Sequence, residues 1–293
     1  MTAIAAERPR ERRTFRLREA TWRVLLFVLV LAVLWGFWEG YRWLWMREHW
    51  TWPFVVDDTS MPHIHDFLRA LFQVTHPGGP LLISVLLKAA AFTAREAAVG
   101  FAMGAVLGFA LGVLLAHFRV LQRGLLPYVV ASQTVPILVI APMVVVYLGS
   151  RGVPGWFSVS VIAAYLTFFP VTINTIRGLH AADRRALELM RSYAAGGWRV
   201  LWKLRFPAAL PYIFAALKVS ATASIVGAVI GELPSSIQDG LGGQILNYSQ
   251  YYSIQPRGLW ATNVIAALLG IAFFLVVLVA EKLVVRRAPE NVA

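Results

Sequence analysis

Residues 61–66 read Met-Pro-His-Ile-His-Asp, and histidines two apart can ligate a metal from one face of a strand. Asp66 is adjacent, and His49 and His76 share the segment. No remaining ligand set is evident, so the sequence predicts a solvated loop without metal. No HExxH, GxSxG or Walker glycine–lysine pattern occurs, so neither a P-loop nucleotide site nor obvious hydrolytic chemistry is expected. The absence of cysteine excludes disulfides, zinc thiolates and a catalytic thiol. Other polar groups stand inside apolar runs, where they are costly and often functional. Ser132, Gln133 and Thr134 precede Pro136, with Pro142 six residues beyond it. Asn174, Thr175, Thr222 and Ser224 lie within later runs, and Glu232 closes one. Singly, such residues serve interhelical hydrogen bonding. As a set they are the expected substrate path, with Glu232 meeting an outside partner, gating the exit or forming an interfacial salt bridge.

The elements that would position these residues follow from composition. Of 293 residues, 58% are hydrophobic and 14% charged, against roughly 25% charged in a soluble domain. The apolar runs are long and continuous, unlike the alternating ten-residue strands of a membrane barrel. They suit helices of about 20 residues crossing a bilayer. The predicted fold is therefore an all-α membrane protein of about six transmembrane helices.

Residues 1–23 carry seven arginines interleaved with glutamates and read as a basic cytoplasmic tail, too charged for a signal-peptide core. A first span occupies 24–46, where Glu39 and Arg42 are spaced to pair on a helix beneath a belt of tryptophans (Trp35, Trp38, Trp43, Trp45). Residues 47–80 read as an external segment. Lys88 and Arg95 make 81–96 an expected interfacial helix leading into a span at 97–118. That span carries Gly100, Gly104, Gly108 and Gly112, a smooth stripe suited to close helix approach. Further spans are expected at 125–149, 156–176, 208–231 and 259–281, with a short tail at 286–293. Lys and Arg concentrate in the first tail, after the second span, in 177–205 and at the end. That distribution predicts both termini in the cytoplasm. The net charge of +12 belongs to these loops, and no nucleic-acid partner is expected.

Residues 188–207, ELMRSYAAGGWRVLWKLRFP, interrupt the apolar pattern. Gly196-Gly197 allows a reversal, after which Trp198, Leu201, Trp202 and Arg205 share one helical face. Such a piece can lie on anionic headgroups or fit a groove on a cytoplasmic partner. The stretch resembles the EAA coupling loop of ABC-importer permeases, which reads E-A-A, three residues, G, nine residues, I-x-L-P. Glu188-Leu189-Met190, Ala194 and Leu204-Arg205-Phe206-Pro207 match that spacing, with Leu189, Met190 and Ala194 replacing the two alanines and the glycine; Gly196-Gly197 are the expected source of the turn. The segments TVPILVIAPMVVVYLG (134–149), FFPVTINTIRGL (168–179), FPAALPYIFAALKVSAT (206–222) and GELPSSIQDGLGG (231–243) look like the nitrate/sulfonate/taurine branch, whose relatives include permeases for thiamine-precursor pyrimidines and riboflavin.

The resemblance implies a type I importer permease core over 81–285 in the inner membrane, itself non-catalytic and binding no cofactor. It implies a second copy of the chain, cytoplasmic ATPase subunits that use ATP, and an external solute-binding protein. Glu188, Ala194, Gly196, Gly197, Trp198, Trp202 and Pro207 would form the ATPase-coupling loop. The expected solute is a pyrimidine or flavin-like heterocycle, since no Arg stands within the clear spans to hold an anion. A nitrate, taurine or alkyl-sulfonate importer is the alternative, and an ion-coupled carrier or channel the alternative of a different class.

Overall fold

The computed structural model describes residues 9–48, 50, 52, 55–235 and 237–285. The tail residues 1–8 and 286–293, and His49, lie outside the described residues. The chain divides into two compact units, Met1–Arg69 and Ala70–Ala293.

In the first unit, α1 runs unbroken over Pro9–Arg47, so the expected tail and first span meet within one helix. The sequence has no proline between Pro9 and Arg47 to stop it. Glu39 and Arg42 do not pair with each other. Arg42 donates to Met61 O and pairs with Asp58, while Glu39 Oε2 meets His63 Nδ1 at 2.6 Å. The segment they hold is ordered by a turn in which Asp57 Oδ1 accepts the amides of Thr59 and Ser60. The Ser60 amide foremost keeps the Asp57 carboxyl below its usual range. A short helix, α2 (Ile64–Ala70), follows.

The second unit is built around three long helices: α3 (Leu82–His117), α6 (Gly155–His180) and α9 (Phe206–Glu232). The glycines of α3 explain its contact with α6. A Cβ at Gly100 would come within 2.4 Å of Ser160 O, one at Gly104 within 2.5 Å of Ala164 O, and one at Gly108 within 2.5 Å of Phe168 O. A Cβ at Gly112 would stand 2.6 Å from Thr175 Cβ. Only glycine at these four positions lets the two backbones lie this close. From α9, Gly227 approaches the Cα of Ala163 on the same central helix. Three buried hydroxyls of α6 back-bond one turn: Ser160 to Trp156 O, Thr167 to Ala163 O and Thr172 to Phe168 O.

Two expectations are corrected here. The proposed interfacial helix at 81–96 is not separate, because α3 continues through Lys88 and Arg95 for 36 residues. Both cations keep exposed positions on the helix, Arg95 over the Trp156 ring at 4.5 Å, while the neighbouring Glu96 is buried. The proposed span at 125–149 is instead two helices, α4 (Arg119–Ser132) and α5 (Ile137–Gly149), bent by 96° at the break. Pro136 lacks an amide proton and sits at the α5 N-cap, so the ladder stops there; Pro142 lies within α5 without ending it. After α6 come α7 (Arg184–Ser192) and α8 (Gly197–Val200), then a π-turn at Leu201–Arg205 that runs into α9. Past α9 lie α10 (Leu241–Gln250) and α11 (Pro256–Val284). Among the described residues, five helices are long and apolar enough to cross a membrane, or six counting the bent pair as one.

Candidate functional site

The connection between α6 and α9 is a helical hairpin whose turn is not made by the expected Gly196-Gly197 pair. Asp183 caps α7 by accepting the Arg185 amide at 3.1 Å. At the other end, the Ala194 amide donates to Arg191 O at 2.9 Å and the Ala195 amide to Met190 O at 3.0 Å. This is the doubly bonded helix stop that needs a left-handed residue just past the cap, and Ala194 supplies it with φ +52. Gly196 instead has extended backbone at the α8 N-cap. Glycine in the coupling-loop pattern therefore has a physical reason at 194, and this chain accepts an alanine there at a cost of about 1–2 kcal/mol.

Glu188 is exposed and reaches Arg184 at 3.3 Å, a pair that solvent leaves weak. Trp198 and Trp202 are also exposed, 73% and 47%, with ring centroids 5.5 Å apart. Trp202 continues to Phe206 at 5.1 Å, and Phe206 to Phe109 of α3 at 6.0 Å. Phe206 and Leu201 pack against a buried cluster of Ala116, Leu179, Ala209 and Ile213. An aromatic row thus leads from the exposed hairpin into the contact of α3, α6 and α9. Pro207 follows the π-turn, in which the Phe206 amide bonds Leu201 O, five residues back. The wider turn suits a proline, whose ring clashes with the carbonyl four residues before it in a regular helix.

Sequence reasoning missed a second constellation. Glu232, predicted to meet an outside partner, gate the exit or form an interfacial salt bridge, is 1% exposed. Its Oε1 accepts the Thr93 hydroxyl at 2.6 Å and its Oε2 the Gly242 amide. The Thr93 oxygen in turn accepts the Leu241 amide at 2.9 Å. Together the two side chains cap α10, whose first turn has orphan amides. A Cβ at Gly240 would lie 2.3 Å from the Glu232 carboxyl, which gives the glycines of GELPSSIQDGLGG their reason. Glu96 is also fully buried, and neither of its carboxyl oxygens has a hydrogen-bond partner among the described residues.

Among the described residues, neither of two cavities gathers the eight predicted path residues. Ser132, Gln133 and Thr134 lie at the α4–α5 break; Gln133 and Thr134 are exposed, and Ser132 O accepts the Tyr165 hydroxyl. Asn174 bonds Pro170 O on its own helix. Thr175 and Ser224 are wholly buried, Thr175 against Gly112 and Ser224 bonded to Ala221 O. Thr222 lines a groove of about 420 Å³ with Asn263, which the sequence reading did not single out. A larger cavity of about 700 Å³ is lined by Gln122, Arg177, His180 and Tyr212 among others, and by none of the eight. Lys218, the charge within the α9 run, pairs with Glu281 of α11 at 2.7 Å.

Residues 104–288 match the family described as binding-protein-dependent transport system inner membrane component. A riboflavin transport system permease protein of Chloroflexus aurantiacus is 30% identical over 177 residues, 58% of this chain; the match spans 61% of that protein's length. A putative aliphatic sulfonates transport permease protein of Bacillus subtilis is 31% identical over 175 residues, covering 60% of this chain and 61% of its own. The fold is similar to that of an amino acid ABC transporter crystallised with histidines, with a TM-score of 0.55 at 16% identity over 70% of this chain and 95% of that one.

Proposed function

We propose a role in ATP-driven solute import, on the premise that this chain belongs to the family of binding-protein-dependent transport system inner-membrane components, the permeases of ABC transport systems. The chain acts in the inner membrane as a homodimer, with both termini cytoplasmic, and works with ATPase subunits and a solute-binding protein. It binds no cofactor of its own; the partner hydrolyses ATP. The observation that carries this reading is the exposed Trp198–Trp202 pair, joined through Phe206 to the buried contact of three long helices. Exposed aromatics on a helical knob suit a groove on another protein, and the row behind them gives movement of that knob a route into the bundle. Glu188, Ala194, Gly196, Gly197 and Pro207 shape the same knob.

Support for the second copy comes from the α4–α5 break. A 96° bend with exposed Gln133 and Thr134 leaves irregular backbone at membrane depth, tolerable only where protein covers it or water lines it. A second copy facing this break, with the solute path between, meets both conditions. Ser132, Gln133, Thr134 and Thr222 are the path residues that reading retains. The alternative of an ion-coupled carrier draws on buried Glu96 and Glu232, but both Glu232 oxygens are engaged in capping α10.

Reconstituted complex carrying Trp198→Ala and Trp202→Ala is the test. The proposal expects loss of ATPase-subunit capture by tenfold or more, with the permease's own melting midpoint unchanged. Unchanged capture, or full-rate solute movement without the ATPase, would overturn it.

For the solute we propose a neutral, hydrogen-bonding heterocycle of pyrimidine or flavin type. Lys218 is neutralised by Glu281, so it offers no free cation to an anion in transit. Calorimetry on the cognate binding protein decides: tight binding of an alkyl sulfonate, taurine or nitrate with no response to pyrimidines or flavins would reject this solute and leave the importer reading intact.

A further inference from the structure

We propose that Glu39, His63 and His65 form a binding site for a divalent transition metal of the zinc class. The three residues come from two places in the first unit, the end of α1 and the entry to α2. Each offers one ligand atom, and these atoms lie within 4.8 Å of one another. Glu39 Oε2 and His63 Nδ1 are 2.6 Å apart. The two imidazoles stack with centroids 5.0 Å apart, and His65 Nε2 stands 3.4 Å from Asp66 Oδ1.

Tetrahedral zinc with bonds of about 2.0–2.1 Å to nitrogen and oxygen needs ligand atoms about 3.3 Å apart. The observed spacing, 2.6 Å for Glu39 Oε2 and His63 Nδ1 and within 4.8 Å for all three atoms, brackets that value. Two imidazole nitrogens and a carboxylate are the borderline donor set that zinc accepts and that calcium or magnesium does not seek. A fourth position is available to Asp66 or water. Glu39 also has a second oxygen, Oε1, that is buried with no hydrogen-bond partner among the described residues, a cost that a bound cation would offset.

The frame around the site is fixed independently of any metal. Trp38 Nε1 donates to Pro62 O at 3.3 Å, Arg42 donates to Met61 O at 2.5 Å, and Arg42 pairs with Asp58. Residues 38, 39 and 42 occupy one face of α1 and clasp the segment 58–63 from consecutive turns. Metal at 39, 63 and 65 would add a coordination link to that clasp. No spacing in the sequence announces the third ligand, which lies on a helix 24 residues before His63.

The test uses the full chain purified in detergent without a histidine tag. Zinc is added alone, and binding is followed by calorimetry and by elemental analysis after dialysis. The expected result is one zinc per chain and a melting midpoint that rises with zinc. His65→Gln, whose side chain is half exposed and so leaves the fold intact, should weaken binding at least tenfold and abolish the zinc-dependent rise. Glu39→Gln should do the same, while His76→Gln should change neither. Cobalt should give the intense visible bands of a tetrahedral site in the parent chain and not in His65→Gln. Failure of the parent chain to bind zinc overturns the proposal. So does equal binding by a His63→Gln/His65→Gln chain, or an equal loss in His76→Gln.

Discussion

Glu232, the last residue of α9, accepts a hydrogen bond from the amide of Gly242, the second residue of α10. A carboxylate ten residues earlier in the chain thus does what a cap residue does at most helix starts, because the local cap, Gly240, has no side chain. Thr93 of α3 joins the same cap from the far side, so three helices are registered at one point.

That arrangement predicts strong coupling between Thr93 and Glu232. Glu232→Ala should lower stability by about 2 kcal/mol, since it strands a buried amide. Thr93→Val should cost less, and the double variant should fall short of the sum by more than about 0.5 kcal/mol. Thermal melts of the four proteins in one detergent measure this cycle. Strict additivity would show that the two side chains act separately.

The left-handed Ala194 predicts a gain from a small change. Ala194→Gly removes the Cβ that disfavours φ +52 and should stabilise α7 by up to about 1 kcal/mol, whereas Ala194→Val should destabilise it. Hydrogen exchange at the Ala194 and Ala195 amides reports the local effect: protection rises in the glycine variant. If glycine and valine lower protection equally, the assigned turn is wrong.

The glycine stripe predicts opposite outcomes for one chemical change at two helical positions. Gly104→Ala forces a methyl to within 2.5 Å of Ala164 O, and overpacking of this kind costs about 1–3 kcal/mol. Gly124, in α4, has nothing within 4 Å of an added Cβ, so Gly124→Ala should be neutral or stabilising by roughly 0.5–1 kcal/mol. Melting midpoints that shift in the same direction for both would remove the close-contact explanation.

Lys218 and Glu281 predict a rescue. Either Lys218→Met or Glu281→Gln alone leaves a half-buried charge without its partner, which destabilises more than losing both. The double variant should melt nearer the parent than either single change. A double variant worse than both singles would mean that each side chain has a separate role.

Much of this was legible in the sequence, for reasons that particular residues show. Continuous apolar runs declare membrane helices, because a bilayer leaves the backbone few other ways to satisfy its hydrogen bonds. Gly100, Gly104, Gly108 and Gly112 declared a close contact by period alone, and the spacing from Glu188 to Pro207 set the length of the hairpin. What the sequence left undecided depends on partners distant in the chain. Lys88 and Arg95 suggested an interfacial helix over 81–96, yet that stretch runs on as one helix, α3, with both cations at exposed positions. The Gly196-Gly197 pair suggested the reversal, yet the hydrogen bonds closing α7 placed it at Ala194. Glu232 looked interfacial until α10 folded back onto it, and Glu39 looked like a partner for Arg42 until His63 and Asp58 separated them. Helical periodicity is local and can be read along the chain; which buried polar groups meet is settled only when helices pack.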